Sequence, residues 1–338
     1  MNIDQLRERF PDENACRTFF ESIIWQNGRF CPHCGFERTY SISGKTARKG
    51  LFECSRCKGQ FTVTTKTPMH STKLCLWKWL LAMYYIVNSS KGVSSVFLAK
   101  WIGVTQKTAW KLGHAVREMM NPDTANQQML NSVVEFDEKY FGGKPRHKFG
   151  VRFKRGKATA KQGVFVLVER HGPVRSALID SEKTAELQPL VERFVKKDAT
   201  LMTDEHHSYR KIGRQYASHK WVKHSMEEYA RGDVHNNTAE SFNSLLERVK
   251  WGVFHHMSKK HLQRYLNEIG FRWDHRLPKE KITKKGVKKI IMIPMEPIKK
   301  FRSLLANAFG RQILWTKNGG IRTYNCANAK SCQPLFSI

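Results

Sequence analysis

Three acidic residues, Asp137, Asp204 and Glu240, lie in a 338-residue chain whose formal charge is +30, with 59 Lys and Arg against 29 Asp and Glu. A surplus of this size favours polyanions, with nucleic acid the leading partner and an acidic membrane surface the second. Carboxylates facing a polyphosphate repel it unless a divalent cation lies between them, so acids at strand ends suggest metal-assisted phosphoryl chemistry. Asp137 ends the apolar run 133–136, Asp204 ends the run 199–203, and Glu240 falls in the first turn of a helix expected over 238–249. Two cations about 3.5–4 Å apart can activate an attacking oxygen and stabilise a leaving one, and oxygen ligands of this kind suit Mg²⁺. Each acid also has a plainer reading. Glu240 follows Asn237 at a capping-box spacing, Asp204 could open a turn with Glu205 and His206, and Asp137 could pair with Lys139.

A second set of chemistry-bearing residues precedes them. Cys31-Pro32-His33-Cys34 and Cys54-Ser55-Arg56-Cys57 are two C-x-x-C knuckles. Four thiolates so spaced complete a tetrahedral zinc shell, and Gly35 lets the first knuckle turn sharply. With four protein thiolates no position remains for water, so one Zn²⁺ here is expected to be structural, with His33 facing solvent. The alternatives are four unrelated buried cysteines or a redox pair. Cys16, Cys75, Cys326 and Cys332 are scattered. Residues 1–9 are charged and lack a secretory core, which predicts a reducing, cytoplasmic setting.

Several elements must position these residues. Residues 11–24 read as an amphipathic helix with acids in its first turn, and 73–120 show helical periodicity. The most apolar stretch, 74–87, is too short to span a membrane and contains Lys78, so it reads as a buried helix, with Trp77, Trp79, Tyr84 and Tyr85 as core. Residues 97–110 fit a helix-turn-helix: Gly103 supplies the turn, Thr105 caps the second helix, and Leu98, Ile102, Ala109 and Leu112 share an apolar face. That leaves Gln106, Lys107 and Lys111 outward for a DNA groove, although an ordinary helical hairpin has the same pattern.

The pattern breaks near Asn121-Pro122-Asp123. Beyond it, β-rich runs at 133–137, 163–168, 174–179 and 200–203, with a helical stretch at 185–195, indicate an α/β domain. Between Lys144 and Lys161 stand eight Lys or Arg and no acid, including Arg152, Lys154 and Arg155. This reads as a hairpin arm on phosphate backbone, or simply as a solvated loop. The tail after Arg276 is lysine-rich.

These residues complete a resemblance. Phe10-Pro11-Asp12-Glu13, Cys31-Pro32-His33-Cys34-Gly35 and Val134-Glu135-Phe136-Asp137-Glu138-Lys139-Tyr140-Phe141-Gly142-Gly143-Lys144 follow in order. Thr203-Asp204-Glu205, His235-Asn236-Asn237-Thr238-Ala239-Glu240-Ser241-Phe242 and the stretch 252–266 come after them. From about Phe10 to Arg276 the chain resembles the DDE transposases of bacterial insertion sequences, specifically the ISXO-like group with an N-terminal zinc ribbon.

The resemblance implies an α/β RNase H-like, retroviral integrase-type catalytic domain whose acids correspond to Asp137, Asp204 and Glu240. It implies two Mg²⁺ (or Mn²⁺) ions, cleavage at the element's ends, and attack of the freed 3′-hydroxyl on target DNA. Its partners would be double-stranded DNA, as terminal inverted repeats and target, and further copies of the chain in a homodimer or larger assembly on the nucleoid, with no membrane.

Glu247 competes with Glu240 as third acid, and Arg248 and Lys250 are both available as the downstream basic residue. For His255, His256 and His261 the pattern suggests structural or phosphate-contacting roles. The expected organisation is a ribbon at 1–66, a helix-turn-helix-like region at 67–125, a catalytic domain at 130–276 and a basic extension at 277–338. Two rivals stay open: a non-catalytic DNA-binding regulator of transposase ancestry, and an RNase H-type nuclease that only hydrolyses.

Overall fold

The computed structural model describes residues 1–44, 46–121, 128–142, 149–150, 161–228, 230–282, 286, 288–315 and 321–325. Two compact units emerge: residues 1–126 with 295–338, and residues 127–294.

The first unit begins with α1 (Ile3–Arg9) and α2 (Glu13–Ile24), capped by Asn2 and Asp12, whose side chains accept from the backbone N–H groups of Gln5 and Ala15. A small antiparallel sheet follows, in the order β1 (Thr39–Ser41), β2 (Phe52–Cys54) and β3 (Gln60–Phe61). Phe52 and Phe61 bury against Cys31, Cys54 and Trp25, so the cysteine knuckles sit on a miniature aromatic core. Next come α3 (Leu76–Asn88), α4 (Ser95–Ile102) and α5 (Gln106–Met119). The Glu13 carboxylate accepts from Leu76 N–H at 2.8 Å and satisfies the otherwise orphaned start of α3.

Trp79 is core as expected, whereas Trp77, Tyr84 and Tyr85 are only half-buried. Gly103 ends α4 at φ 64°, a left-handed backbone that lets α5 turn back on α4 without Cβ strain.

The second unit is built on one sheet in the order β6-β5-β4-β7-β8. Its strands are β4 (Val133–Phe141), β5 (Gln162–Glu169), β6 (Val174–Ile179), β7 (Thr200–Thr203) and β8 (Ser218–Trp221). β4, β5 and β6 run antiparallel to their neighbours, and β4, β7 and β8 run parallel.

The alternation along β4 divides the sheet's two faces. Val134 and Phe136 join Phe165, Leu167 and Ile179 beneath α6 (Thr184–Phe194) and α7 (His207–Gly213). Phe141 joins Val164, Val166 and Val168 beneath α8 (Asn237–Val249) and α9 (Lys259–Asp274). Each fully buried aliphatic or aromatic side chain here contributes about 1.5–3 kcal/mol. A π-helical turn, Lys250–Phe254, follows α8 directly.

The stretch expected as one basic extension divides between the two units. Residues 276–294 form a hairpin, β9 (Arg276–Ile282) with β10 (Lys288–Pro294), inside the second unit. Then α10 (Pro297–Ala306) buries Phe301, Leu304 and Leu305 in the first, and β11 (Arg311–Trp315) pairs with β12 (Ile321–Asn325). The lysine content hid this apolar stripe. Even Lys300 is buried, its Nζ donating to Val87 O at 3.2 Å near the C-terminus of α3. The regions 1–66 and 67–125 fall in the same compact unit.

Candidate active site

The four knuckle sulfurs converge. Their Sγ atoms all lie within 4.8 Å of one another, with Cys31 to Cys57 and Cys34 to Cys54 each at 3.6 Å. A tetrahedral zinc with Zn–S bonds of about 2.3 Å requires sulfurs separated by just under 4 Å, so the cage fits the ion. Backbone bonds shape each knuckle: Gly35 N–H to Cys31 O at 2.8 Å with Gly35 at φ 76°, and Lys58 N–H to Cys54 O at 3.0 Å. His33 is exposed outside the cage, its Nε2 within 3.3 Å of Gln60 O.

The acids gather on the second unit's sheet. Parallel pairing sets Val133 beside Thr200 and Glu135 beside Met202, where it ends; Asp204 directly follows β7, next to the acid-bearing strand. Asp204 closes a local turn by accepting from His206 N–H at 2.9 Å, as the turn reading expected.

Asp137 accepts from Asn243 Nδ2 at 2.7 Å and from Glu138 N–H at 2.9 Å. Burial pushes the Asp137 carboxyl up to about 6; these two hydrogen bonds hold it down, while the nearby charges of Asp204 and Glu240 push it further up. Asp137 therefore feels the charge of both other acids. Among the described residues, the four cysteine sulfurs form the one compact group of potential metal ligands.

Glu240 is exposed on α8, and the capping-box reading fails. The N-cap is Asn236, one residue earlier than the spacing suggested, and no side chain of the helix itself caps it. Glu135, one pleat before Asp137 and fully buried, does so from the strand: its carboxylate accepts from Thr238 N–H at 2.6 Å and Ala239 N–H at 3.1 Å. Arg170 Nε balances Glu135 at 2.5 Å. This strand-to-helix cap joins the acid-bearing strand to the Glu240 turn, and its only trace in sequence was an acid inside an apolar run.

The competitor Glu247 forms an ion pair with Lys139 at 2.7 Å, so Lys139 serves Glu247 and not Asp137. Glu135, Asp137 and Lys139 thus meet Thr238, Asn243 and Glu247 in succession as α8 runs along β4. On the opposite face Glu138 is held by the Tyr209 hydroxyl, and burial pushes its carboxyl up to about 8. Tyr140 bonds Glu182 at 2.7 Å beside them.

Among the basic candidates, Lys250 Nζ approaches Gly142 O at 3.4 Å and lies 4.7 Å from the Trp251 ring centre, while Arg248 is exposed. His255 and His256 are exposed, and His261 is buried in α9.

Arg152, Lys154 and Arg155, with the expected hairpin arm, lie outside the described residues, as do Cys326 and Cys332. In the first unit Leu98, Ile102, Ala109 and Leu112 are buried between α4 and α5, and Thr105 caps α5 by accepting from Thr108 N–H at 3.3 Å. Lys107 is exposed and Lys111 half-buried. Gln106 is exposed too, but its amide donates to Ser95 Oγ at 2.8 Å, so it faces outward already engaged.

The cysteine cage in one unit and the acid-bearing sheet in the other fit a transposase with an N-terminal zinc ribbon, the class that comparison with known proteins gives. Residues 129–274 match the ISXO2-like transposase domain and residues 11–60 the transposase zinc-ribbon domain. The chain belongs to the ISXO2-like transposases.

It is 28% identical over 276 residues to an uncharacterized protein in transposable element ISH50 of Halobacterium salinarum, covering 78% of this chain and 91% of that one. Similar solved structures include the Mos1 mariner paired end complex with Mn, at 13% identity and TM-score 0.23 over 57% of this chain and 76% of that one. The Mos1 strand transfer complex follows at 12% identity and TM-score 0.21, over 58% and 76%. No helix among the described residues is long and apolar enough to cross a membrane.

Proposed function

We propose that this transposase binds the terminal inverted repeats of an insertion sequence and carries out Mg²⁺-dependent strand cleavage and strand transfer. The observation that carries the reading is that Asp204 and Glu240 lie near enough to Asp137 on β4 for their charges to act on it. Asp204 stands just past the end of the neighbouring strand β7, and Glu240 on α8, whose Asn243 bonds Asp137. The sheet order, three antiparallel strands followed by two parallel ones, supports an RNase H-like domain.

Asp137, Asp204 and Glu240 would hold the divalent ions, which, when bound, polarise the scissile phosphate and lower the charge on its oxygens. The chain's own contribution is to keep Asp137 desolvated and the acids aimed. Asn243 fixes one oxygen of Asp137, His206 N–H fixes one of Asp204, and Glu135 fixes the turn below Glu240. Lys250 or Arg248, on the last turn of α8 and just beyond it, would meet the DNA backbone.

The zinc ribbon and the α4–α5 pair are assigned to recognition of the repeats, with Gln106, Lys107 and Lys111 toward the groove, and the basic run containing Arg152, Lys154 and Arg155 to backbone contacts. Two element ends must be held together, so a homodimer or larger assembly in the cytoplasm is part of the proposal. An Asp137→Asn variant assayed on a substrate carrying the element's own ends tests it: binding should persist while nicking and joined products vanish. Cleavage by the variant sinks the site. Wild-type products cut but never joined would support the hydrolytic nuclease, and absence of any metal-dependent cut would support the regulator.

A further inference from the structure

Trp251 stands 66% exposed in the π-helical turn that follows α8. Both ends of that turn are anchored. Lys250 Nζ reaches Gly142 O at 3.4 Å, and the Phe254 ring packs on Tyr265 with centroids 4.6 Å apart. His255 closes the turn at φ 51°, a left-handed backbone that a non-glycine residue holds only where its surroundings impose it. A single exposed aromatic is ordinary on a protein surface. One presented by an anchored π turn with a strained exit is not, since both features concentrate at functional sites.

The neighbouring charges name the ligand class. Arg248, His255, His256, Lys259 and Lys260 are exposed, and Lys250 Nζ lies 4.7 Å from the Trp251 ring centre. The one acid within 247–260, Glu247, is paired with Lys139. An aromatic ring among cations suits a nucleobase beside its phosphates, because stacking and charge then act on the same nucleotide. A second copy of this chain, itself carrying +30, would bring like charge to the patch. The faces of a base inside a duplex are already covered by its neighbours, so the ring can receive only a base that is unpaired or terminal.

The distance to the acids follows from the two elements between them. The helical rise from Asn243, which bonds Asp137, to Trp251 is about 12 Å. The strand rise from Asp137 to Gly142, which Lys250 reaches, is about 16 Å. At about 3.4 Å per base step this is about four or five nucleotides. We propose that Trp251 is a stacking site for an unpaired base of the element's end, about four or five nucleotides from the phosphate that is cut. This rests on the reading of Asp137 as part of the cleavage site.

The test is photocrosslinking of the zinc-loaded full chain to duplexes carrying the element's own end, with 5-iodouracil placed in turn at each position flanking the cut. Mass spectrometry identifies the crosslinked residue. Trp251 should crosslink at one position, about four or five nucleotides from the cut. Trp251→Phe should keep that crosslink. Trp251→Ala should lose it, with affinity for the element's end down roughly tenfold, the scale of one stacked base. Leaving the nucleotide at that position unpaired in advance should tighten binding by wild type and not by the Ala variant.

A wild-type complex that forms and cuts without a crosslink at Trp251 refutes the stacking site and leaves the acid site standing. So does a Trp251→Ala variant that binds the end like wild type, or one whose defect is weaker self-association without DNA, since the ring is then a contact between copies. If Trp251→Ala melts early, the wild-type crosslink and the Phe variant decide. If the protein does not distinguish the element's end from random duplex, or Asp137→Asn still cuts, the reading of function falls and the proposal with it.

Discussion

The ribbon and the sheet both gather distant residues around a place for a cation, but they hold those residues in different ways. In the ribbon, the four sulfurs already lie at the spacing a metal imposes, and around them stands a core of little more than Phe52, Phe61 and Trp25. In the sheet, the carboxylates rest on a large two-faced core, and each is held by a protein group: Asn243 on Asp137, His206 N–H on Asp204, the Glu135 cap under Glu240. A closed thiolate cage makes the ion part of the fold, whereas a site that must exchange substrate is built to stand without it.

Metal removal should give the largest effect and the clearest break in that contrast. Structural zinc in small domains contributes about 10–16 kcal/mol of apparent binding energy at neutral pH, more than a three-strand ribbon can replace. Stripping zinc with a strong chelator, or Cys54→Ser, should abolish protection of residues 31–61 in amide hydrogen exchange and leave residues 133–203 protected. An ordered, metal-free ribbon would erase the distinction.

Asp137→Asn sharpens the other side. Cleavage should fall by about 10³-fold or more, since an interaction made in the transition state is removed, while metal-free melting of the second unit should hold or rise. Burial already disfavours the Asp137 carboxylate, so neutralising it relieves a cost.

Glu135→Gln separates positioning from chemistry within the sheet. It leaves the Arg170 guanidinium without its buried partner and weakens the α8 cap, so the second unit should lose about 3–5 kcal/mol in denaturant unfolding. A loss under about 1 kcal/mol would mean that the strand-to-helix cap does not hold Glu240 in place.

The same contrast explains what could be read from the residues alone. The knuckles were legible because both halves of each are local: a C-x-x-C fixes two ligands in four residues. Asp137, expected to end the run 133–136, lies in the middle of β4, which runs on to Phe141 through Glu138, Lys139 and Tyr140, whereas Asp204 was legible as an acid just past the end of a strand.

Glu135 and Asn243 were not, because their roles exist only once β4 and α8 pack. In sequence one is an acid within a strand and the other a polar residue within a helix. The α10 stripe was masked for a related reason: Lys299 and Lys300 dominate its composition, although Phe301, Leu304 and Leu305 set its buried face. The helix-turn-helix pattern was complete down to the Thr105 cap and the left-handed Gly103, but a pattern cannot say that Gln106 is already bonded to Ser95.

That last detail supplies the smallest expected effect, and it carries the comparison to the level of single side chains on one helix. Lys107 is exposed at the start of α5, whereas the Gln106 amide is spent on Ser95. If this end of α5 meets DNA, Lys107→Ala should weaken binding about equally for cognate and random duplexes and lower the salt dependence, the slope of log K against log salt, by about 1. Gln106→Ala should instead cost affinity for the element's ends over random DNA, because an amide held in place by Ser95 offers a fixed acceptor to a base edge. Fluorescence anisotropy across a salt series reads both. Equal losses of specificity from the two variants would mean that the Ser95 bond does not set Gln106 apart, and unchanged binding in both would remove this helix from the DNA interface.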